Sequence, residues 1–261
     1  DKPILSYWLQ ASSLTLFGWL SPAIPIETIG RLPSVVAGAL WAVVLGRFSE
    51  EVTKKPGLGV FVAMALATTL GTSIISRAAT ADALLNLWLA LLFTDITRYI
   101  LNPSDSLRLK VFLWLGLGIL TKGPVAAIVP ACAFGFWVLL SNKWSLFWSA
   151  IQSWAGWALM IVLLTPWLIG VYDAQGYSFF ENFILLHNLE RFSGNLHGHG
   201  GHPLYYLLVM PLVLLPYCGL VIAVLIRIRE YWACPINRFA LVWVAIVVLL
   251  VSSSGTQLPH Y

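Results

Sequence analysis

Long apolar runs alternate with short polar segments along this chain, and the runs have the length of membrane-spanning helices. A helix needs about 20 apolar residues to cross a bilayer. The stretch 107–140 is too long for one crossing and contains Thr121-Lys122-Gly123-Pro124, so it predicts a hairpin of two short, tilted helices with a polar tip. The predicted fold is an all-α, polytopic transmembrane helical bundle with about eight spans, at residues 33–48, 58–75, 83–100, two within 107–140, 147–170, 204–226 and 239–252.

Two segments depart from this pattern of apolar runs. Residues 1–20 interleave serine, threonine and glutamine with apolar side chains, which predicts a juxtamembrane helix at the membrane surface. Residues 171–203 form the longest polar segment and contain four of the five histidines. Because imidazoles and irregular backbone need water or polar partners, we predict that this segment is a large structured loop outside the bilayer.

The composition supports an integral membrane protein. The chain is 59% hydrophobic and 10% charged, with a mean hydropathy of +0.83, whereas soluble domains contain about 25% charged residues. The net charge of +4 comes from scattered basic residues without a nucleic-acid-binding motif, so no nucleic-acid partner is expected. The three cysteines have no paired spacing and are interpreted as packing residues. We also expect the chain to be an internal fragment of a longer protein.

The basic residues are distributed unequally between the two predicted sides of the membrane. The alternation of spans places five of the fifteen on one side and ten on the other. Because cytoplasmic loops carry an excess of lysine and arginine, the side with ten is predicted to be cytoplasmic. The five on the outer side are Lys2, Arg31, Arg77, Lys122 and Arg191, and each lies within a compact polar motif.

These outer motifs predict a polar cavity at one face of the membrane. They are Asp1-Lys2-Pro3, Arg77 to Asp82, Lys122, the histidine-rich loop and Ser252 to Tyr261. Cations in such a cavity suit an anionic group such as a phosphate. Carboxylates suit a general base or a metal. The simpler alternative is that each motif only ends a helix, with Asp82 complementing the helix dipole and Lys122 lying in a turn.

The same motifs resemble those of a known enzyme family. The resemblance rests on Asp1-Lys2-Pro3 with Leu5-Ser6-Tyr7-Trp8-Leu9-Gln10-Ala11, on Arg31 to Ser34, on Arg77 to Leu85, on Leu120 to Pro124, on His187 to Phe192, and on Ser253 to Tyr261. In this order they are similar to the ArnT-like aminoarabinose transferases of the GT-C superfamily, which also includes the protein O-mannosyltransferases. The resemblance implies that residues 1–261 form part of one GT-C transmembrane domain, whose first transmembrane helix and C-terminal part are missing.

The resemblance implies a glycosyltransferase in the bacterial inner membrane, with its active site facing the periplasm or exterior. The donor would be a polyprenyl-phosphate-linked sugar, and the acceptor a lipid such as lipid A, a protein or a glycan, with membrane lipid around the site. No nucleotide cofactor is expected, because the lipid carrier supplies the leaving group.

The resemblance also assigns roles to residues. Asp1 and His187 would bind a divalent metal, which could be zinc, magnesium or manganese. Lys2 would bind the carrier phosphate with help from Arg191, and Asp82 would be catalytic. Tyr7, Arg77, Lys122 and His260 are the remaining candidates for substrate binding. Apart from the resemblance, Tyr7 and Trp8 are aromatic candidates for stacking on a sugar. A further aspartate expected upstream of residue 1 lies outside this chain.

Three alternatives stay open from the residues alone. The run from His197 to His202 either binds zinc, lines the acceptor groove or simply solvates a loop. A transporter or flippase of lipid-linked sugars would need ionisable residues near mid-membrane, whereas Asp95 lies near the cytoplasmic end of its span. A non-catalytic assembly subunit would leave the outer motifs unexplained.

Overall fold

The computed structural model describes residues 3–20, 23–176 and 205–253, and every regular element in these ranges is helical. A 3-10 turn, Gly18–Leu20, extends the first helix. The α-helices are α1 (Leu5–Phe17), α2 (Ile26–Thr53), α3 (Leu58–Thr68), α4 (Leu70–Arg77), α5 (Asp82–Leu101), α6 (Asp105–Lys122), α7 (Val125–Ser141), α8 (Trp144–Ile151), α9 (Trp154–Gln175), α10 (Tyr205–Val213), α11 (Cys218–Ile226), α12 (Ile228–Ala233) and α13 (Pro235–Ser252).

The helices confirm the predicted all-α transmembrane bundle. Within the described ranges, α2, α5, α9 and α13 are each long and apolar enough to cross a membrane, and the bent pairs α3/α4 and α10/α11 bring this number to six. The α6–α7 hairpin accounts for the remaining two predicted segments, and its tip lies where Lys122-Gly123-Pro124 predicted it. The order of the segments therefore agrees with the sequence pattern.

The first span begins earlier than predicted. The interpretation of 33–48 treated Pro33 as the start, but α2 begins at Ile26 and continues through Pro33. Proline has no N–H, so it cannot donate to the carbonyl of Ile29 four residues earlier. The hydroxyl of Ser13 in α1 donates to that carbonyl instead, at 2.6 Å. The missing hydrogen bond is thus replaced by a contact with a neighbouring helix.

The predicted second span, 58–75, is broken rather than continuous. Helices α3 and α4 meet at Thr69, whose backbone is extended, and their axes differ by 66°. The hydroxyls of Thr68 and Thr69 donate to the carbonyls of Met64 and Ala65, each at 2.7 Å. The bond from Thr69 satisfies the carbonyl of Ala65, which the interrupted helix leaves without a backbone partner.

The predicted span 204–226 is also broken, and its break contacts the first one. Helices α10 and α11 are bent by 120°. The N–H of Leu70 donates to the carbonyl of Leu215 at 2.9 Å, and the hydroxyls of Thr68 and Tyr217 are hydrogen-bonded at 2.9 Å. The two breaks are therefore joined by one backbone hydrogen bond and one bond between hydroxyl side chains.

The predicted span 147–170 combines parts of two helices. Its first residues belong to the short helix α8, and the membrane-spanning helix α9 begins only at Trp154. The indole of Trp157 donates to the carbonyl of Ile151 at 2.8 Å, which caps the end of α8. Because α8 carries several aromatic side chains and is only eight residues long, it suits the membrane interface better than the membrane interior.

Helix α5 lies at the centre of the described bundle. In the most apolar part of α5, 56% of residues are buried, compared with 11% in α9 and in α13. One face of α5 packs against α7 and α13 through aromatic residues that include Trp137 and Phe239, and another packs against α1 and α2 around Ala37 and Leu84. Helix α5 thus has protein neighbours on most sides, whereas α9 and α13 leave apolar surface for lipid.

Side-chain contacts between helices define one end of the bundle, which we call the basic end. There α2 and α5 end, α6 and α13 begin, and α8 lies between them. The contacts are Arg98 with Glu51 at 2.6 Å, Tyr99 with the Leu146 carbonyl at 3.2 Å, Arg108 with the Ser149 carbonyl at 2.8 Å, and Arg238 with the Ser141 hydroxyl at 3.5 Å. The opposite end, which carries Asp82 and Lys122, is the motif end.

Asp95 is a structural residue of the basic end. It is 3% exposed. Arg98 donates to one carboxylate oxygen at 2.7 Å, and the indole of Trp114 donates to the other at 2.9 Å. Both oxygens therefore have partners within the packed helices α5 and α6, as a buried carboxylate requires.

Candidate functional site at the motif end

The centre of the candidate site is an ion pair between two residues that the sequence separates by 40 positions. Asp82 is the first residue of α5, and Lys122 is the last residue of α6. The ammonium of Lys122 contacts Oδ1 of Asp82. The side chain of Asp82 is only 16% exposed and that of Lys122 only 24%, so water screens this pair less than a surface pair.

The tip of the α6–α7 hairpin fixes the backbone position of Lys122. Gly123 has a φ of 81°, which a residue with a side chain rarely adopts. The indole of Trp88 in α5 donates to the hydroxyl of Thr121 at 3.0 Å. A Cβ atom at Gly118 would lie 2.8 Å from that of Ala126, so α6 and α7 can approach this closely only because residue 118 is glycine.

The loop that precedes Asp82 is attached to two other helices. The amide of Gln10 in α1 donates to the carbonyl of Ala79 at 3.2 Å, and the hydroxyl of Ser34 in α2 donates to the carbonyl of Thr80 at 3.1 Å. These bonds satisfy carbonyls that belong to no helix. They also connect the predicted juxtamembrane helix and the first span to the start of α5.

The beginning of the described chain lies next to the end of α6. Pro3 is fully buried, and Ile4 and Leu5 pack against the cluster formed by Leu120 and Trp167. Leu120 is two residues before Lys122. The packing of α1 thus extends from the hairpin tip to the loop before Asp82.

Two exposed arginines lie around this centre. Arg77 is in the last turn of α4. Arg31 is one helical turn before Ser34, the residue that holds Thr80. Neither guanidinium has a hydrogen bond or ion pair with another described residue. Both are exposed cations, and a guanidinium suits an anionic ligand.

The structure brings together part of the predicted set of site residues. Asp82 and Lys122 are in contact, and Arg77 is near them in the chain that leads to α5. Tyr7 is 53% exposed on α1, one turn before Gln10, and has no hydrogen bond with a described residue. The other predicted residues lie outside the described residues: Asp1, Lys2, His187, Arg191 and His260.

No metal centre is visible in residues 3–20, 23–176 and 205–253, where no three histidine, cysteine, aspartate or glutamate side chains cluster. The two predicted metal ligands, Asp1 and His187, lie outside these ranges, as does the run from His197 to His202. The predicted divalent metal thus stays a prediction.

Sequence reasoning did not assign four residues that shape this site. They are Gln10, Ser34, Trp88 and Thr121, and each holds a backbone or side-chain group beside Asp82 or Lys122. A signal was present, since a polar side chain within an apolar membrane helix needs a partner inside the protein. The sequence did not show which partner each residue would have.

Comparison with known proteins places the chain in a family. Residues 1–169 match the model of the family described as dolichyl-phosphate-mannose-protein mannosyltransferase. This range includes α1 to α7, Asp82 and Lys122, and therefore the whole described part of the candidate site.

Several relatives are named as undecaprenyl phosphate-alpha-4-amino-4-deoxy-L-arabinose arabinosyl transferases. The protein from Shewanella sediminis is 25% identical over 267 residues, and that from Edwardsiella ictaluri is 26% identical over 275 residues. In both cases the match covers 100% of this chain and 47% of the relative. The chain thus spans about half the length of the relatives that it matches.

A solved structure has the same fold. It is the crystal structure of ArnT from Cupriavidus metallidurans bound to undecaprenyl phosphate, with a TM-score of 0.83 at 20% identity over 100% of this chain and 47% of that one. The apo form of the same protein gives a TM-score of 0.79. These comparisons confirm the ArnT-like resemblance of the motifs. The chain belongs to the dolichyl-phosphate-mannose-protein mannosyltransferase family.

Proposed function

We propose that the protein containing this chain is a glycosyltransferase that moves a sugar from a polyprenyl-phosphate carrier to an acceptor at the outer face of the bacterial inner membrane. The observation that carries this proposal is the Asp82–Lys122 pair, with exposed Arg77 and Arg31 near it, in a chain of this family. Cations stabilise the charge that develops on the leaving carrier phosphate, and a carboxylate beside them can position a cation or accept a proton.

The proposed donor is an undecaprenyl-phosphate-linked aminoarabinose, and the proposed acceptor is a phosphate of lipid A. The names of the relatives and the ligand of the solved structure support the donor. The family resemblance supports the acceptor, and proteins and glycans are the other acceptor classes that an experiment should include.

The reaction breaks the bond between the sugar and the carrier phosphate and forms a bond between the sugar and an acceptor oxygen. The carrier phosphate keeps the bonding electrons and becomes a dianion. Cations that contact it stabilise this charge as it develops. We assign this role to Lys2 and Arg77, with Arg191 as a further candidate, and we place Tyr7 and His260 next to the sugar or the acceptor.

Asp82 has a different role for each acceptor class. An acceptor phosphate is already anionic and needs no strong base, so Asp82 would then position Lys122 beside the carrier phosphate. An acceptor hydroxyl must lose a proton, and a carboxylate oxygen of Asp82 would accept it. Both roles need the carboxylate at the start of α5. Gln10 and Ser34 fix this position, because they hydrogen-bond to the loop that precedes Asp82.

A divalent metal at Asp1 and His187 forms part of this proposal. When bound, it would neutralise negative charge on the carrier phosphate. We expect a chelator to lower the transfer rate of the full-length protein, and zinc, magnesium or manganese to restore it. The His187→Ala variant should be slower and less sensitive to chelation. Equal chelator sensitivity in this variant and the wild type would contradict the assignment of His187.

The structure offers little support for the alternative of a transporter. The two broken helix pairs resemble the discontinuous helices of transporters. However, the residues at the breaks are uncharged: Thr68, Thr69, Leu215 and Tyr217. Asp95, a buried acidic residue within a span, is already paired with Arg98.

The proposal can be tested with the full-length protein in liposomes that contain undecaprenyl-phosphate aminoarabinose and lipid A. Mass spectrometry should detect aminoarabinose on lipid A, and the Asp82→Asn variant should reduce the rate at least tenfold at equal amounts of folded protein. Asp105→Asn is the matched control, because Asp105 is the first residue of α6 as Asp82 is of α5, but at the basic end. Normal rates in both variants would reduce Asp82 to a helix-terminal charge, worth about 0.3–1 kcal/mol.

A further inference from the structure

The basic end contains a cavity that the proposed transfer reaction does not use. Its volume is about 480 Å³, and it lies where the ends of α5 and α7, the start of α8 and the start of α13 meet. Its polar lining consists of Ser141, Lys143, Ser145 and Arg238. Its apolar lining includes Trp137 and Leu146. One cavity thus presents two cations, two hydroxyls and a hydrocarbon wall.

Hydrogen bonds between different helices hold the walls of this cavity. The indole of Trp137 in α7 donates to the carbonyl of Pro235 at the start of α13, at 3.3 Å. The hydroxyl of Tyr99 in α5 donates to the carbonyl of Leu146 in α8, at 3.2 Å. Trp137 is 2% exposed and packs edge-on against Phe239. The spacing of the four helices around the cavity is therefore set by the packed core.

The two cations of the cavity have no described carboxylate partner. Arg238 donates to the carbonyl of Trp232 at 3.0 Å, lies over the ring of Trp232 at 5.8 Å and approaches the hydroxyl of Ser141 at 3.5 Å. Lys143 is exposed and has no ion pair with a described residue. The cavity thus keeps two positive charges.

Three other arginines at the same end differ in this respect. Arg98 pairs with Glu51 and Asp95, Arg108 with Asp105, and Arg227 with Glu230. Their charges are neutralised within the protein. The cavity around Lys143 and Arg238 instead leaves two charges available for an anion from outside.

The position of α8 indicates which anion can reach this cavity. Trp144 and Trp148 are 45% and 56% exposed, and exposed tryptophans on a short helix mark the level of the lipid headgroups. Leu101, in the cavity wall, is 52% exposed. A molecule with a phosphate next to acyl chains would place the phosphate against the cations and the chains along these apolar surfaces. A free phosphate would make no use of the hydrocarbon wall.

We propose that this cavity binds the headgroup phosphate of an anionic phospholipid from the leaflet at the basic end. Lys143 and Arg238 bind the phosphate as cations, and Ser141 and Ser145 donate hydroxyl hydrogen bonds to it. The acyl chains lie against Leu101 and Leu146. Such a lipid would join α5, α7, α8 and α13 at a membrane face opposite to the proposed transfer site.

Native mass spectrometry of the full-length protein tests this proposal. The protein is titrated in detergent with phosphatidylglycerol or with phosphatidylethanolamine of the same acyl chains. We expect the wild type to retain phosphatidylglycerol preferentially. The Lys143→Gln/Arg238→Gln variant should bind it on the order of fivefold more weakly for each cation removed. The control is Lys54→Gln/Lys55→Gln, which removes two exposed lysines from the same end and should bind like the wild type.

Three results would overturn the proposal. They are equal retention of both lipids by the wild type, an equal loss of binding in the control variant, and displacement of the lipid by inorganic phosphate at equal concentration. The last result would assign the cavity to a soluble anion. Arg238→Gln could impair folding, because it removes the contacts with Trp232. In that case Lys143→Gln alone replaces the double variant. Lys143 is exposed, and its replacement should still weaken binding about fivefold.

Discussion

Pro33 lies inside α2 without interrupting it, because a side chain from another helix compensates for the hydrogen bond that proline removes. The freed carbonyl of Ile29 accepts from Ser13, which is 6% exposed. The sequence places Ser13 on a surface helix and Pro33 at a helix start, and both interpretations follow sound local rules. The contact between them depends on the packing of α1 on α2, which local rules do not contain.

This contact leads to a prediction about Ser13. Replacing Ser13 by alanine leaves the buried carbonyl of Ile29 without a donor, which should lower the free energy of unfolding by about 1–2 kcal/mol. The control is Ser12→Ala in the same helix, because Ser12 is exposed and donates only to the carbonyl of Trp8 in its own helix. Thermal unfolding of the detergent-solubilised full-length protein should show a lower midpoint for Ser13→Ala only. Equal midpoints would show that Ile29 finds another donor.

The Asp82–Lys122 pair permits a test that separates stability from catalysis. Neutralising either residue breaks this partly buried ion pair and should lower the free energy of unfolding by up to about 3 kcal/mol. The swapped variant Asp82→Lys/Lys122→Asp restores an ion pair of opposite direction. The swapped variant should yield more folded protein than either single variant. Its transfer rate should stay low, because the carboxylate then lies on α6 instead of α5. If the swapped variant recovered both the amount of folded protein and the transfer rate, the pair would be a purely structural contact.

Among the helices, those whose limits depend on local sequence could be predicted, and those shaped by distant contacts could not. The span at 83–100 corresponds to α5, Asp82–Leu101, because Asp82 and Asn102 are local boundary signals. The hairpin tip follows from Gly123-Pro124. The break at Thr69 has no proline at the bend. The N–H of Leu70, at the start of α4, donates to the carbonyl of Leu215, more than a hundred residues away. Local sequence cannot predict this bond, because it forms only when the two helix pairs pack against each other.

The contact between the two broken helices leads to a prediction about Gly71. A Cβ atom there would meet the side chain of Val213 and lie 3.3 Å from its carbonyl oxygen. Gly71→Ala should therefore push α4 away from α10 and lower the thermal midpoint, although alanine favours helices by about 1 kcal/mol. Gly135→Ala in α7 is the matched control, since nothing lies within 4 Å of its added Cβ. A rise in both midpoints would show that α4 and α10 do not need this close approach.

At the scale of the whole molecule, the sequence predicts which residues share a face but not which of them touch. Alternation of spans already placed Asp82, Lys122 and Arg77 at one end. Their assembly also needs Gln10 and Ser34, which hold the loop before α5 and to which the sequence motifs assigned no role. At the other end, Lys143 and Arg238 come together because α7 and α13 pack along their lengths, nearly a hundred residues apart in sequence. Periodicity supplies the segments, and only packing brings these residues together.

The two ends of the bundle should face opposite sides of the membrane, and this is the basis of both proposed sites. Ten of the fifteen basic residues belong to the basic end, and cytoplasmic loops carry such an excess. In a variant without its native cysteines, we introduce cysteine at Ala79, which is exposed at the motif end, or at Lys55, which is exposed at the basic end. An impermeant maleimide applied to intact spheroplasts should label position 79, and label position 55 only after the membrane is permeabilised. The reverse pattern would place Asp82 and Lys122 in the cytoplasm, where a lipid A acceptor at the outer face is out of reach, and would overturn the proposed site of transfer.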